Sequence, residues 1–449
     1  MEFDQELYDY VLNAAKSFES SLDSRPVTPS DEVIKALDYF DEPLSNGGIE
    51  ATQVIKMLHE VGEPGVVSSR GGRFYGFVTG GALPVAVAAN WMAASWDQNG
   101  GPSVMSPISS KLEQVAGSWV LDALDLPASS TFGFVTGATM AGFTALSSAR
   151  TKIYQNCGYD LKADGIRNAP KIRFVMSEEI HPTNIIALQY MGFGKNELEF
   201  VKCDEQGRII PEEMPPLDDH TIVILQAGNV NSGSFDHFNE VCDLAEGTGA
   251  WVHVDAAFGG WVRASENYKH LANGMERADS WSLDCHKWLN VPHDSAIAIC
   301  RDSNVMQDTF GVRASYLVPG SLREGYHFTP ELSRRARGME IWAALKYLGK
   351  DGLAEIIDRT CGFAKYCAKE LENQGFEILN DVVINQIVAT MKDEDKVDDF
   401  IKSVQQDGKT WFGPTDWKGR KAFRISISSH ATTKEDIDIS LKSIQENMP

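Results

Sequence analysis

From residue 131 onward the hydrophobic positions fall into seven short, nearly continuous runs: TFGFVTG, KIRFVMS, LEFVKCD, TIVILQAG, AWVHVDAAF, SWSLDC and SAIAICR. Strands buried on both faces read this way, whereas strands with one wet face alternate. Helical stretches separate the runs, which predicts an α/β domain around a mostly parallel central sheet. Residues 1 to about 60 read as helices broken by SRPVTPSDE, with Ser30 capping DEVIKALDYF. KLEQVAGSWVLDAL is an amphipathic helix by the spacing of Leu112, Val115, Trp119 and Leu121–Leu124. Between these helices, residues 65 to 110 are rich in Gly, Ser and Pro. Long irregular segments of this kind are mostly functional or interfacial. After 330 a long helical run, PELSRRARGMEIWAALKYLG and then LAEIIDRTCGFAKYCAKELENQ, precedes two strands and a helix, FEILNDVVINQIVATM, KAFRISISS and TTKEDIDISLKSIQEN. This pattern predicts a smaller C-terminal α+β lobe. The expected division is a helical arm over 1–65, a large α/β domain over 66–340 and the small lobe over 341–449.

Composition narrows the partners. The 449 residues are 43% hydrophobic and 23% charged, enough for a large core, and the formal net charge is -22. That sign argues against nucleic acid or an anionic membrane as the main partner. No run of about 18 apolar residues exists. The nearest, residues 82–96, is too short and carries Pro84 and Asn90. The N-terminus is acidic and amphipathic, unlike a signal or transit peptide. Seven scattered cysteines without a CxxC pair predict neither a disulfide framework nor a zinc site, and a reducing cytoplasm fits best.

Ligands of open α/β sheets sit beyond the carboxyl ends of the strands, so residues just after each run carry the candidate chemistry. Thr136, Gly137, Ala138 and Thr139 form a turn of small residues opening a helix. Its exposed N–H groups and dipole suit an anion such as a phosphate, or simply a tight helix cap. His181, before Pro182, starts another helix, as a flat group stacking on a ring or as a cap. Asp255 ends an apolar run, where a charge is costly unless paired. It can serve a buried cation such as a protonated ring nitrogen, or an internal ion pair. Ala256, Ala257 and Gly259 leave room beside it for something flat. His253 shares its strand face, but no third ligand lies at useful spacing, so no metal site is expected. Lys287, in SLDCHKWLN, either lays its stem along an apolar surface or forms a Schiff base.

Taken in order, the anion turn, histidine, aspartate and lysine resemble the group II pyridoxal-5′-phosphate (PLP) dependent amino-acid decarboxylases. TGATMAGFTAL, IHPTNIIAL, AGNVNSGSFD, HVDAAFGGW, DCHKWLNVPHD and YLVPG followed by SRRARGMEIWAALKYLG carry the resemblance. It implies fold type I of the aminotransferases and an intertwined homodimer with shared active sites. It also implies PLP joined to Lys287, with Asp255 on the pyridinium nitrogen and His181 stacked on the ring. Gly137, Ala138, Thr139 and His286 would hold the phosphate, with Ser333 of the partner subunit, while Ala257 would pack against the ring. Tyr316 matches a loop tyrosine that reaches the partner's active site and protonates the carbanion left by CO2. Aldehyde-forming relatives differ at that position, so the tyrosine supports simple decarboxylation to the amine.

Some positions depart from the family pattern. Met140 stands where many relatives have an acid, and GNVNS where they have threonines, leaving Asn229 or Asn231 to bond near the ring. Asp284 stands where relatives often have asparagine and is expected to face away from the phosphate. The substrate pocket should draw on Arg73, Phe74, Tyr75, Phe77 and Trp96, whose aromatic rings suit an aromatic L-amino acid or ordinary packing at a subunit interface. Arg73 stands where an aromatic-specific relative has tyrosine, and suits an acidic side chain or a salt bridge. Arg424 resembles the carboxylate-binding arginine of aminotransferases. An aromatic substrate is the favoured expectation. The alternatives are an acidic or small polar amino acid, a related PLP reaction (aldehyde synthase, aminotransferase or aldolase), and a catalytically silent PLP-fold binding protein.

Overall fold

Each of the seven apolar runs forms a strand in the computed structural model, which describes residues 4–312, 315 and 320–449. They are β1 Thr131–Val135, β2 Arg173–Ser177, β3 Leu198–Val201, β4 Thr221–Gln226, β5 Trp251–Asp255, β6 Ser280–Asp284 and β7 Ala296–Cys300. They lie in one sheet in the order β1-β7-β6-β5-β4-β2-β3. The pairings β3/β2, β2/β4, β4/β5 and β5/β6 are parallel, and β7 alone runs against its two neighbours. The continuous apolar pattern has a direct cause. Val223, Leu225, Val252 and Val254 enter one core, and Ile222, Ile224 and Trp251 enter another on the opposite face. The helices Pro107–Ala123 and Phe238–Ala245 cover the first face, and Ala138–Asn156 and Pro182–Tyr190 the second.

The small lobe carries an antiparallel sheet of β8 Glu377–Ile378, β9 Gln386–Thr390, β10 Gly413–Trp417 and β11 Arg420–Ser426, in the order β10-β11-β9-β8. FEILNDVVINQIVATM reads as one strand but breaks into β8 and β9. Asn380 donates to Ser232 O and Gln386 O and accepts from Val388 N, which turns the chain between them. Helix Val397–Asp407 and strand β10 are additions that the apolar pattern does not signal.

The start of the long helix also differs from expectation. The long helix begins at Gly338 rather than near 330, because Arg334 is held in a buried pair with Glu113 and Gly100 N bonds Arg334 O. It runs to Asn373 with non-helical dihedrals at Gly349. Its Ile341, Leu345 and Ile357 belong to the large core, and its Cys367 and Leu371 to the small one. The helix therefore serves both cores, with residues up to Cys361 in the large one and from Ala364 in the small one. Part of the Gly-rich segment also joins the small lobe: Tyr75 sits in its core, with backbone bonds to Trp411 and Ser426. In the arm, helices Gln5–Ser21, Asp31–Ala36 and Ala51–Met57 bury no residue, and Ser30 accepts from Val33 N as expected of a cap. No helix among the described residues is long and apolar enough to cross a membrane.

Candidate active site

Strands β1, β2, β4, β5 and β6 run in one direction, so their carboxyl ends share one edge of the sheet. A cavity of about 250 Å³ lies there. The turn after β1 contributes Gly137, Ala138 and Thr139, and the turn after β2 His181 and Thr183. Gln226, Gly228 and Val230 follow β4, Asp255, Ala257 and Phe258 follow β5, and Asp284, His286 and Lys287 follow β6. Gly228 needs its freedom here: its φ is +91°, and a Cβ would press on Phe258.

The two ends of the cavity differ in charge. Asp255 is buried; its Oδ2 accepts from Asn184 Nδ2 at 2.6 Å and its Oδ1 from Ala257 N at 3.1 Å. No arginine, lysine or histidine forms an ion pair with it among the described residues. Asp284 is equally buried but crowded with donors. Its Oδ1 accepts from Ala138 N, the first residue of helix Ala138–Asn156, at 2.6 Å, and its Oδ2 lies 3.1 Å from Lys287 Nζ. His286 Nε2 lies 3.5 Å from Oδ1. Asp284 thus faces into the site, contrary to the expectation that it turns away. The helix N-terminus and the lysine draw the carboxylate in.

The histidines are held as neutral rings. His181 caps its helix, with Nδ1 facing both the Thr183 amide (3.3 Å) and hydroxyl (2.7 Å), which places the ring proton on Nε2. Burial pushes its imidazole below the usual range, against the pull of Asp255. His286 accepts from Ser295 N at Nδ1 and stacks on His293 at 4.2 Å; burial pushes it down to about 4. His253 bonds Ser280 beneath the sheet edge, and no metal-holding cluster occurs among the described residues.

The pyridoxal-dependent decarboxylase conserved domain matches residues 36–392. The chain belongs to that family. It is a PLP-dependent amino-acid decarboxylase, a carboxy-lyase. Among its relatives, the aromatic-L-amino-acid decarboxylase of Bacillus atrophaeus is 26% identical over 446 residues, 94% of this chain and 90% of that protein. The cysteine sulfinic acid decarboxylase of Mus musculus is 29% identical over 266 residues, 55% of this chain and 52% of its own length. Two solved structures share the fold: Oryza sativa TDC with PLP and tryptamine (TM-score 0.90, 19% identity, 99% of this chain and 97% of that one) and mouse CSAD (0.89, 21%, 99% of each).

The cavity of the decarboxylase fits PLP by its donor set. A buried carboxylate lacking a cation suits a ring N–H, a primary amine suits an aldehyde, and helix N-terminal amides suit a phosphate. Several predicted residues are not brought to this cavity. Arg73 is buried and tied to Asp23 O (2.7 Å) and Asp436 (3.6 Å), so its guanidinium is engaged within the chain. Tyr75 bonds Ser440, and Phe74 and Phe77 stack on Trp411. Trp96 ends helix Pro84–Trp96 on the surface. Tyr316 lies outside the described residues. Neither Asn229 nor Asn231 lines the cavity. Asn229 closes its own turn by accepting from Asn231 N and Ser232 N, and Asn231 bonds Thr415.

The residues missed from sequence are Thr183, Gln226 and Phe258 in the wall, Asn184 bonded to Asp255, and Asn290 next to the lysine turn. Asn290, at φ +57° and buried, accepts from Gly81 N and His430 N and donates to Ser428 O. It ties the lysine turn to the Gly-rich segment and the small lobe. The one available signal was the placement of Asn184 three residues after His181, on the same helix face.

Proposed function

We propose that the decarboxylase converts an aromatic L-amino acid to its amine and CO2 in this cavity. Lys287 is the residue that binds the aldehyde carbon of PLP. The observation that carries this reading is one amine, paired with Asp284, in the same cavity as a second buried aspartate, Asp255, that has only neutral donors. Bound PLP supplies an electron sink for the pair left at the α carbon when CO2 departs. Asp255 holds a proton on the ring nitrogen, and Asn184 and Ala257 N hold Asp255 in place. His181, with its ring proton on Nε2, would stack on the bound ring, and Ala257 would pack against it. Gly137, Ala138, Thr139 and His286 receive the phosphate. Tyr316 returns a proton to the α carbon, favouring the amine over an aldehyde.

The aromatic assignment is supported by the relative that matches along nearly the whole chain, and by Arg73 being engaged elsewhere. One observation favours an acidic substrate instead. Arg424 is half-buried, donates to Val230 O at 2.9 Å, and has no carboxylate partner among the described residues. Burial alone lowers its guanidinium to about 10, and it lies near His181. Such a cation suits a second carboxylate. A homodimer is also part of the proposal. The arm and helix Pro84–Trp96 frame an apolar groove of about 510 Å³ lined by Val11, Ala14, Phe18, Leu58 and Trp91, and an open apolar surface of this kind suits a second subunit. A cytoplasmic location agrees with seven free cysteines.

The test is incubation with each standard L-amino acid, with CO2 and product mass measured. Amine and CO2 are expected in equal amounts, with no ammonia or peroxide; stoichiometric peroxide contradicts the reading. Borohydride should fix a pyridoxyl group on the Lys287 peptide. Turnover of acidic substrates in place of aromatic ones, lost on Arg424→Met, moves the substrate assignment to the second reading.

A further inference from the structure

The phosphate end of the cavity already contains an anion, the carboxylate of Asp284. Its Oδ1 takes the first amide of helix Ala138–Asn156 at 2.6 Å, and its Oδ2 takes Lys287 Nζ at 3.1 Å. It is only 3% exposed, so water does little to screen it. The adjoining turn is open by sequence: a Cβ on Gly137 would stand 3.6 Å from His286 Cε1 and 3.8 Å from Asp284 Oδ1. An incoming phosphate at this turn therefore meets the carboxylate directly. Two anions competing for one helix N-terminus repel strongly in a partly dry site.

We propose that Asp284 is a resident anion of the phosphate cradle, which the cofactor's phosphate must displace from Ala138 N–H, so that this residue sets how tightly PLP is held. The inference rests on the phosphate reading of that turn. While the cradle lacks a phosphate, Asp284 caps the helix and pairs with the Lys287 ammonium. Once a phosphate takes the amide, the carboxylate loses its best donor and stays close to a second anion. The enzyme thereby holds its cofactor more loosely and exchanges it more readily than a neutral side chain of the same shape would allow. Asparagine is that side chain. It keeps an acceptor for Ala138 N–H, adds an N–H that can face a phosphate oxygen, and carries no charge.

The experiment compares PLP with pyridoxal, which has the same ring and aldehyde but no phosphate. Dissociation constants are measured by absorbance titration for the wild-type protein and for Asp284→Asn. The ratio of the two constants isolates the phosphate's contribution, because any change in the reactivity of Lys287 cancels. Asp284→Asn should raise the preference for PLP over pyridoxal by at least ~10-fold, given the size of a like-charge contact at this range. PLP release, followed by transfer to an acceptor apoprotein, should slow in step. Asp284→Ser, smaller and neutral, should shift the ratio in the same direction. The inhibition constant of inorganic phosphate, obtained by competition against PLP, should be lower for the variants than for the wild type. A ratio unchanged or lowered in both variants overturns the inference. If wild type binds neither compound at Lys287, judged by borohydride labelling, the proposed function fails instead, so the two failures are distinct.

Discussion

Asp255 and Asp284 end neighbouring parallel strands, and both are almost completely buried. Their surroundings are opposite. Asp255 has two neutral donors and no cation. Asp284 has a helix N-terminus, a lysine and a histidine. The first is poised for a positive charge that the chain does not provide, and the second is already neutralised by charges that it does. The same residue type at equivalent strand positions thus performs contrary electrostatic tasks, and the difference is made by partners from other strand ends.

Breaking the Asp255 side should have the larger effect. Asp255→Asn keeps the shape and removes the charge, and kcat should fall on the order of 10²–10³-fold, as when one preoriented electrostatic group is removed from a dry site. Steady-state CO2 release measures it. A loss below tenfold would make the two aspartates equivalent. Asn184→Ala should sharpen the point with a smaller effect, roughly 10-fold in kcat, the scale of a hydrogen bond to a charged group. Because Asn184 acts through Asp255, that loss should largely vanish in the Asp255→Asn background, whereas a general packing defect would persist.

Much of this arrangement is legible in the sequence. Lys287, Asp255, His181 and Thr139 each follow an apolar run, and parallel strands bring such positions to one edge. The continuous runs also expose the two-sided sheet, since Ile222 and Val223 serve different cores. The remainder depends on distances that periodicity does not encode. Asp284 meets Ala138 across 146 residues, and Arg73 meets Asp436 from the far end of the chain. The turn between β8 and β9 is set by Asn380, whose partners include Ser232 in another domain. Asn184 looks like any polar residue on a helix until its bond to Asp255 is drawn.

The smallest effect concerns the histidine beside Asp284. His286 is neutral in the folded protein, with its imidazole at about 4 against 6.5 when unfolded. Between those values the unfolded chain binds more protons, so stability is intact above pH 6.5 and is lost as pH falls toward 4. The loss is on the order of 3 kcal/mol. Urea midpoints of wild type and His286→Gln across that range should converge at low pH, and parallel curves would remove His286 as the cause.

The most direct measurement sets the two aspartates side by side: PLP dissociation constants for wild type, Asp255→Asn and Asp284→Asn at neutral pH, each referred to its value for pyridoxal. The account predicts that Asp284→Asn increases the advantage of PLP over pyridoxal. It also predicts that Asp255→Asn weakens both compounds alike and leaves that advantage unchanged, because its partner is the ring rather than the phosphate. An equal shift of the ratio in both variants, or none in either, would contradict the assignment of the two cavity ends.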